Sequence, residues 1–191
     1  VRIDFAEMTS KGFHTDGLDP YKTYSAGIAS YLTGNYLFKT NYSKDSKFQP
    51  ILDIHNEVVA GIKYFNFSKN APEGHYSTLS INITPKGRSG SIDVYLRPTT
   101  AVGTPVVKNG TTIVSVGEGS YKIGSFTITT SMPQVPTTLT IDATAVDSLE
   151  GEWGIFLVFN TYSSYQMCDL NTVGFGVESD EHKDRYTDLG N

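Results

Sequence analysis

From Tyr76 to Phe175 the chain alternates apolar and polar residues in short runs. Leu79, Ile81 and Ile83 take every second place, with Ser80, Asn82 and Thr84 between them. Ile92, Val94 and Leu96 repeat the pattern, as do Phe126 and Ile128, then Leu139 and Ile141. A period of two turns one face of a strand into a core and the other into water. The alternation predicts strands at 24–33, 36–40, 58–67, 76–84, 91–97, 104–107, 111–116, 123–130, 137–144, 153–159 and 168–177. Between them stand segments rich in turn formers, among them Pro85-Lys86-Gly87-Arg88-Ser89-Gly90 and Val116-Gly117-Glu118-Gly119-Ser120. Short strands at this spacing predict an all-β chain, a two-sheet antiparallel β-sandwich. Only a short helical turn is expected, within residues 144–152.

The flanks read differently. Residues 1–22 carry Lys11-Gly12, Asp16-Gly17 and Asp19-Pro20, all breaker signals, and are expected to form a connector. The sandwich is then expected over 23–178. Residues 179–191, which begin with a charged run through Arg185, are expected to be a solvated tail. Because the sequence opens on Val1 without a signal-like stretch, it is read as a piece of a longer, processed protein.

At 191 residues one domain can bury a sizeable core without staples. Charged residues make up 18%, and uncharged polar residues fill the difference, which suits a secreted or cell-surface β-protein that meets neutral polar ligands. The net charge of -5 argues against a nucleic-acid partner, which would need clustered Lys and Arg. No apolar run of about 20 residues is present to span a membrane as a helix. Cys168 is the single cysteine, so it forms no internal disulfide and reads as a small buried hydrophobe.

Signals for catalysis are missing. There is no Gly-x-Ser-x-Gly elbow, no phosphate loop and no His-Glu-x-x-His. The four histidines, His14, His55, His75 and His182, show no metal-ligand spacing. Aromatics carry the chemistry instead. Phe65, Phe67, Phe126, Phe156 and Phe159 fall in strand patterns and belong to the core. Tyr162 and Tyr165 lie in the polar stretch Asn160-Thr161-Tyr162-Ser163-Ser164-Tyr165-Gln166, and Tyr121 follows a Gly-rich loop. A flat ring there can cover the CH face of a sugar while Asp, Asn or Gln bond its hydroxyl rim.

The order of segments resembles the family 6 carbohydrate-binding modules, β-sandwiches of the jelly-roll kind attached to glycoside hydrolases. The resemblance rests on Ser89-Gly90-Ser91-Ile92-Asp93-Val94-Tyr95-Leu96-Arg97, Thr100-Ala101-Val102-Gly103-Thr104, Gly119-Ser120-Tyr121, Ile155-Phe156-Leu157-Val158-Phe159 and Asp169-Leu170-Asn171-Thr172-Val173-Gly174-Phe175. It covers roughly 57–177. Leu18-Asp19-Pro20-Tyr21-Lys22 is also similar to the junction before such modules in family 43 glycoside hydrolases. The resemblance implies a non-catalytic module that targets a catalytic glycoside hydrolase domain of the same parent chain to a polysaccharide such as xylan or arabinan. It implies a sugar site at Tyr121, Tyr162, Tyr165 and Asp169. The family's first-strand calcium ligands align with Ser25-Ala26-Gly27 or, in a rival alignment, with Phe5-Ala6-Glu7; the rival implies one structural calcium ion, held weakly by Glu7 and by Asn171. Departures from the family are visible. Val59 stands where an aromatic is usual, Tyr121 replaces a tryptophan, and the closing Asn-x-Asp is inverted to Asp169 and Asn171. Two rival readings of the chain are a structural accessory module that packs on its catalytic domain, and an adhesion module that binds protein.

Overall fold

The computed structural model describes residues 17–38, 49–68, 78–101, 106–109 and 112–175. They form thirteen strands: β1 (Tyr24–Ser25), β2 (Tyr31–Thr33), β3 (Leu37–Phe38), β4 (Ile51–Ile54), β5 (Val59–Asn66), β6 (Thr78–Pro85), β7 (Gly90–Pro98), β8 (Val107–Asn109), β9 (Thr112–Ser115), β10 (Tyr121–Ile128), β11 (Thr137–Asp142), β12 (Glu152–Asn160) and β13 (Cys168–Phe175). One sheet runs β10-β7-β12-β5-β2. The other runs β11-β6-β13-β4-β3, with β1 also paired to β13. Every strand pairing is antiparallel. The expected two-sheet antiparallel sandwich is the observed fold. Among the described residues no helix is long and apolar enough to cross a membrane.

The period of two does the sorting. Leu79, Ile81 and Ile83 from β6 meet Ile92, Val94 and Leu96 from β7 in the space between the sheets, all of them buried. The intervening Ser80 and Asn82 face outward, where their side chains bond Thr140 and Thr138 of β11 at 2.8 and 3.0 Å. These cross-strand pairs give the outer face of the second sheet a ladder of neutral polar groups.

Strand β12 breaks the alternation. Its run Ile155-Phe156-Leu157-Val158-Phe159 is fully buried on both faces. Ile155, Leu157 and Phe159 enter the main core, whereas Phe156 and Val158 join Val59 and Tyr95 in a second cluster. Ile113 and Val116, from β9 and the residue after it, belong to that cluster, so the β8–β9 hairpin folds over the outer face of the first sheet. A continuous apolar run thus records a strand covered from both sides.

Three differences from the expected elements have local causes. The segment 24–33 is not one strand: it divides into β1, a single 3-10 turn (Ala26–Ile28) and β2. Gly27 lies so close to Gln49 that a Cβ atom would stand 2.6 Å from it, and the turn permits that approach. Strand β4 was not expected, because Ile51-Leu52-Asp53-Ile54 is too short to show a period. Leu18, assigned to the connector by its turn-forming neighbours, is buried and sits between Tyr64 and Asn66 through backbone bonds of 2.7 and 2.9 Å. The expected tail lies outside the described residues. The helical turn expected in 144–152 is a 3-10 turn at Thr144–Val146.

Burial also sets an alkaline limit. Desolvation pushes the Cys168 thiol well above its ordinary range, with the Asp169 charge adding to it and Lys86 opposing. Tyr24 is raised by burial and by the charge of Asp19, and Tyr95 by burial and Asp93. A raised folded pKa contributes stability that is complete below the unfolded pKa and is lost as pH climbs through the folded value. Lys63, lowered by burial and by Arg97, works in the reverse sense but is partly exposed. With unfolded values of about 8.5 for a thiol and 10 for a phenol, the melting temperature is expected to hold up to about pH 8 and fall above about pH 9. In Cys168→Val the fall should begin nearer pH 10. An unchanged onset in thermal melts across this range would show that the thiol does not set the limit.

Candidate functional site

The strand order brings four loops to one end of the sandwich: the turn between β4 and β5, the loop before β7, the end of β10 and the end of β12. A cleft of about 670 Å³ opens there, lined by Asn56 and Glu57, Ser89 to Ser91, Thr127 to Thr129 and Asn160 to Tyr162. Apart from Glu57 its polar groups are neutral hydroxyls and amides. Gly90 is what lets the walls meet. A Cβ atom there would lie 2.3 Å from both the Asn160 carbonyl oxygen and the Met167 sulfur, so only glycine fits between these loops.

Tyr162 is fully exposed at the rim, and Tyr165 is 62% exposed. Their loop is nonetheless tied down. The Thr161 N–H donates to Asn56 Oδ1 at 2.8 Å, and the Thr161 hydroxyl donates to the Ser89 carbonyl at 2.8 Å. The Ser163 N–H donates to the Thr161 hydroxyl, the Tyr165 N–H donates to the Ser163 hydroxyl, and the His55 ring bonds the Ser164 carbonyl. The Arg88 guanidinium lies 5.3 Å from the centre of the Tyr165 ring. An aromatic side chain on a fixed base loses little freedom when a flat ligand lands on it.

Asn160 closes the floor of the cleft. Its amide nitrogen donates to Asp93 Oδ2 at 3.2 Å, which fixes the way the amide faces. Asp93 is itself held by the Ser125 hydroxyl at 2.7 Å and by Lys122 Nζ at 2.8 Å. Alternation places Ser91, Asp93, Ser125, Thr127 and Asn160 on the same outward face of the first sheet. The arrangement offers an apolar ring beside a row of hydrogen-bonding groups.

The structure separates the residues that the sequence grouped together. Tyr162 and Tyr165 share the cleft end. Tyr121 does not: it pairs with Leu96, which pairs with Ile155, five residues or about 17 Å along β12 from Asn160. Strand β10 runs antiparallel to β7, so its first residue lies at the opposite end. There Tyr121 packs edge-to-face on Trp153, ring centres 6.0 Å apart. Asp169 is near the cleft end but 7% exposed. Its carboxylate accepts the Asp53 N–H at 2.8 Å and pairs with Lys86 Nζ at 2.8 Å, so it is a brace and not a ligand-facing group.

The calcium expectation finds no support around Asn171. The Asn171 amide nitrogen donates to Asn82 Oδ1 at 2.8 Å and Thr84 Oγ1 at 3.1 Å, both neutral partners. Hard cations want several oxygens including carboxylates. Among the described residues no group of three or more His, Cys, Asp or Glu comes together. Glu7 lies outside the described residues.

Asn56, Glu57, Ser91, Thr127 and Asn160 were not expected in a site. The available signal was that polar residues cluster where successive strands end, but their convergence depends on strand order, which periodicity does not encode.

No protein-family model and no curated protein matches this chain by sequence. Solved structures do match by shape. A family 6 carbohydrate-binding module from Clostridium cellulolyticum, crystallised with xylose, superposes with a TM-score of 0.53 at 16% identity over 83% of this chain and 98% of its own. A β-1,3-glucan-binding module of the same family from Bacillus halodurans gives 0.54 at 15% identity, over 85% of this chain and all of its own. The chain has the fold of these modules. A family 43 arabinoxylan arabinofuranohydrolase from Bacillus subtilis, crystallised with cellotetraose, gives 0.57 at 15% identity over 83% of this chain. The match spans 28% of that enzyme's length.

Proposed function

We propose that the chain is a non-catalytic carbohydrate-binding module, and that it binds a polysaccharide in the cleft beside Tyr162. The observation that carries this reading is the fully exposed Tyr162 on a braced loop above a floor of hydroxyl and amide groups. A pyranose ring presents CH bonds on its face and hydroxyls on its rim, and the cleft offers a partner for each. The xylose- and glucan-binding neighbours of the same fold support a glycan ligand over a protein one. Nothing in the lining forms a nucleophile with a base beside it, as acyl or glycosyl transfer would need.

The module's contribution is then proximity. Held on a polymer, a catalytic domain of the same parent chain meets its substrate at a raised effective concentration. A secreted glycoside hydrolase is the parent we propose, with xylan or arabinan as the polysaccharide class.

The test is affinity electrophoresis against xylan, arabinan, arabinoxylan and mixed-linkage glucan, followed by titration. Stacking on one ring is worth about 1 kcal/mol, so Tyr162→Ala is expected to weaken binding by roughly fivefold to tenfold. Tyr121→Ala should leave affinity unchanged, because that ring packs on Trp153 at the other end. Equal losses in both variants would place the site away from the cleft. Absence of binding to every glycan would favour a structural module that packs on its catalytic domain.

A further inference from the structure

Glu57 holds a conformation that its side chain does not favour. Its φ is +61°, in the left-handed region where glycine is at ease and any Cβ is strained. Asp53, at φ +49°, shares that region. Asp53 has a structural reason, since its N–H is bound by the buried Asp169 carboxylate. Glu57 has a backbone reason too: it closes the Asn56–Glu57 turn between β4 and β5, where a positive φ is common. Its side chain is partly exposed, and it pairs with the exposed Lys108 of β8. Exposed pairs of this kind contribute little stability. The strain is held in place by the Glu57 N–H, which donates to the Phe159 carbonyl at 2.8 Å, and by Asn56, bonded to the Thr161 N–H.

What distinguishes Glu57 is its position. A second hollow of about 330 Å³ lies beside the cleft, with Tyr31, Thr33 and Val106 on its walls. Asn56 and Glu57 line both hollows, and Lys108 lines the second. Among the described lining residues, Glu57 and Lys108 are the charged ones, and they neutralise each other.

We infer that the two hollows form one groove for the interior of a neutral glycan chain, and that Glu57 grips the sugar unit that crosses between them. The inference rests on the carbohydrate reading above and names the residue that sets its register. A carboxylate accepts hydrogen bonds from two adjacent ring hydroxyls, and such charge-assisted bonds are about twice as strong as neutral ones. The ammonium of Lys108 donates beside it. A glycine at position 57 would relieve the backbone and leave the groove without its grip.

The experiment compares the unmodified chain with Glu57→Gly and Glu57→Gln. Each is titrated calorimetrically with xylo- and cello-oligosaccharides of two to six units and melted without ligand. Affinity of the unmodified chain is expected to climb with length up to the longest oligomers. Glu57→Gly is expected to melt about 2 °C higher or more and to bind the hexamers about tenfold more weakly. Glu57→Gln keeps the strain, should melt no higher, and should lose several-fold in affinity. A Glu57→Gly variant that binds normally, or that melts lower, overturns the role of Glu57 and leaves the carbohydrate reading standing. Affinity that does not grow with length overturns the joined groove. No binding of any oligosaccharide or polysaccharide by the unmodified chain overturns the carbohydrate reading, and this inference with it.

Discussion

Replacing Phe65 with alanine is expected to remove about 3–5 kcal/mol of stability, the usual range for a large aromatic truncated in a core. Phe65 is fully buried on β5. It meets Tyr24 and Phe175 edge-on, with ring centres at 5.9 and 5.6 Å, and Phe67 at 6.5 Å. Tyr24 and Phe175 belong to one sheet and Phe65 to the other, so this cluster ties the two layers together at the end away from the cleft. Three rings converge on Phe65, and the cavity left by its loss cannot close by moving any one of them. At 2–4 °C per kcal/mol for a chain of this size, the melting temperature should fall by about 10 °C or more. Phe65→Leu, which keeps most of the volume, should lose much less. Equal melting of Phe65→Ala and the unmodified chain in calorimetry would mean the cluster does not join the sheets.

A second large effect is expected at Asp169. Its carboxylate is buried, accepts the Asp53 N–H and pairs with Lys86. Alanine would leave the Asp53 N–H unsatisfied in strand β4, at a residue whose backbone already sits at positive φ. Lys86 is partly exposed and lies 3.6 Å from the Asp53 carboxylate, so it finds other partners. The cost is therefore set below that of a fully buried ion pair, at about 2–3 kcal/mol, or roughly 5–10 °C. Asp169→Asn keeps an acceptor for the N–H and should lose about half as much. Glycan affinity at a temperature where the variants remain folded should not change. Lost affinity with an undiminished melting temperature would restore Asp169 as a sugar ligand.

The contrast between Asp169 and Tyr162 shows where the sequence speaks and where it is silent. Strand identity was legible because Leu79, Ile81 and Ile83 alternate with polar residues, and burial on one face is the cause of that pattern. The exposure of Tyr162 was legible because an aromatic between Thr161 and Ser163 has no strand face to hide on. Asp169 looked like a ligand by family position, but the sequence holds no record of Lys86 and the Asp53 N–H closing on it. The place of Tyr121 was hidden for a different reason: which end of the sandwich a residue occupies follows from strand direction and order. The covered face of the first sheet was written in Phe156 and Val158, which fill outward positions in β12; only the identity of the cover, the β8–β9 hairpin, required the fold.

Where the described chain enters and leaves has a practical side. Leu18 is bonded between Tyr64 and Asn66, and the Phe175 N–H donates to the Pro20 carbonyl at 2.9 Å. Both points lie at the Phe65 end, some 25 Å along β5 from Glu57. A reporter or surface anchor joined directly at Leu18 or Phe175 would hang from this one pole, away from the Tyr162 cleft. The same adjacency makes the fold a candidate for circular permutation. In a chain cut to run from Leu18 to Phe175, a short peptide could join these two points, and new ends could be opened in a loop remote from both poles of the sandwich, so that immobilised arrays present every cleft outward.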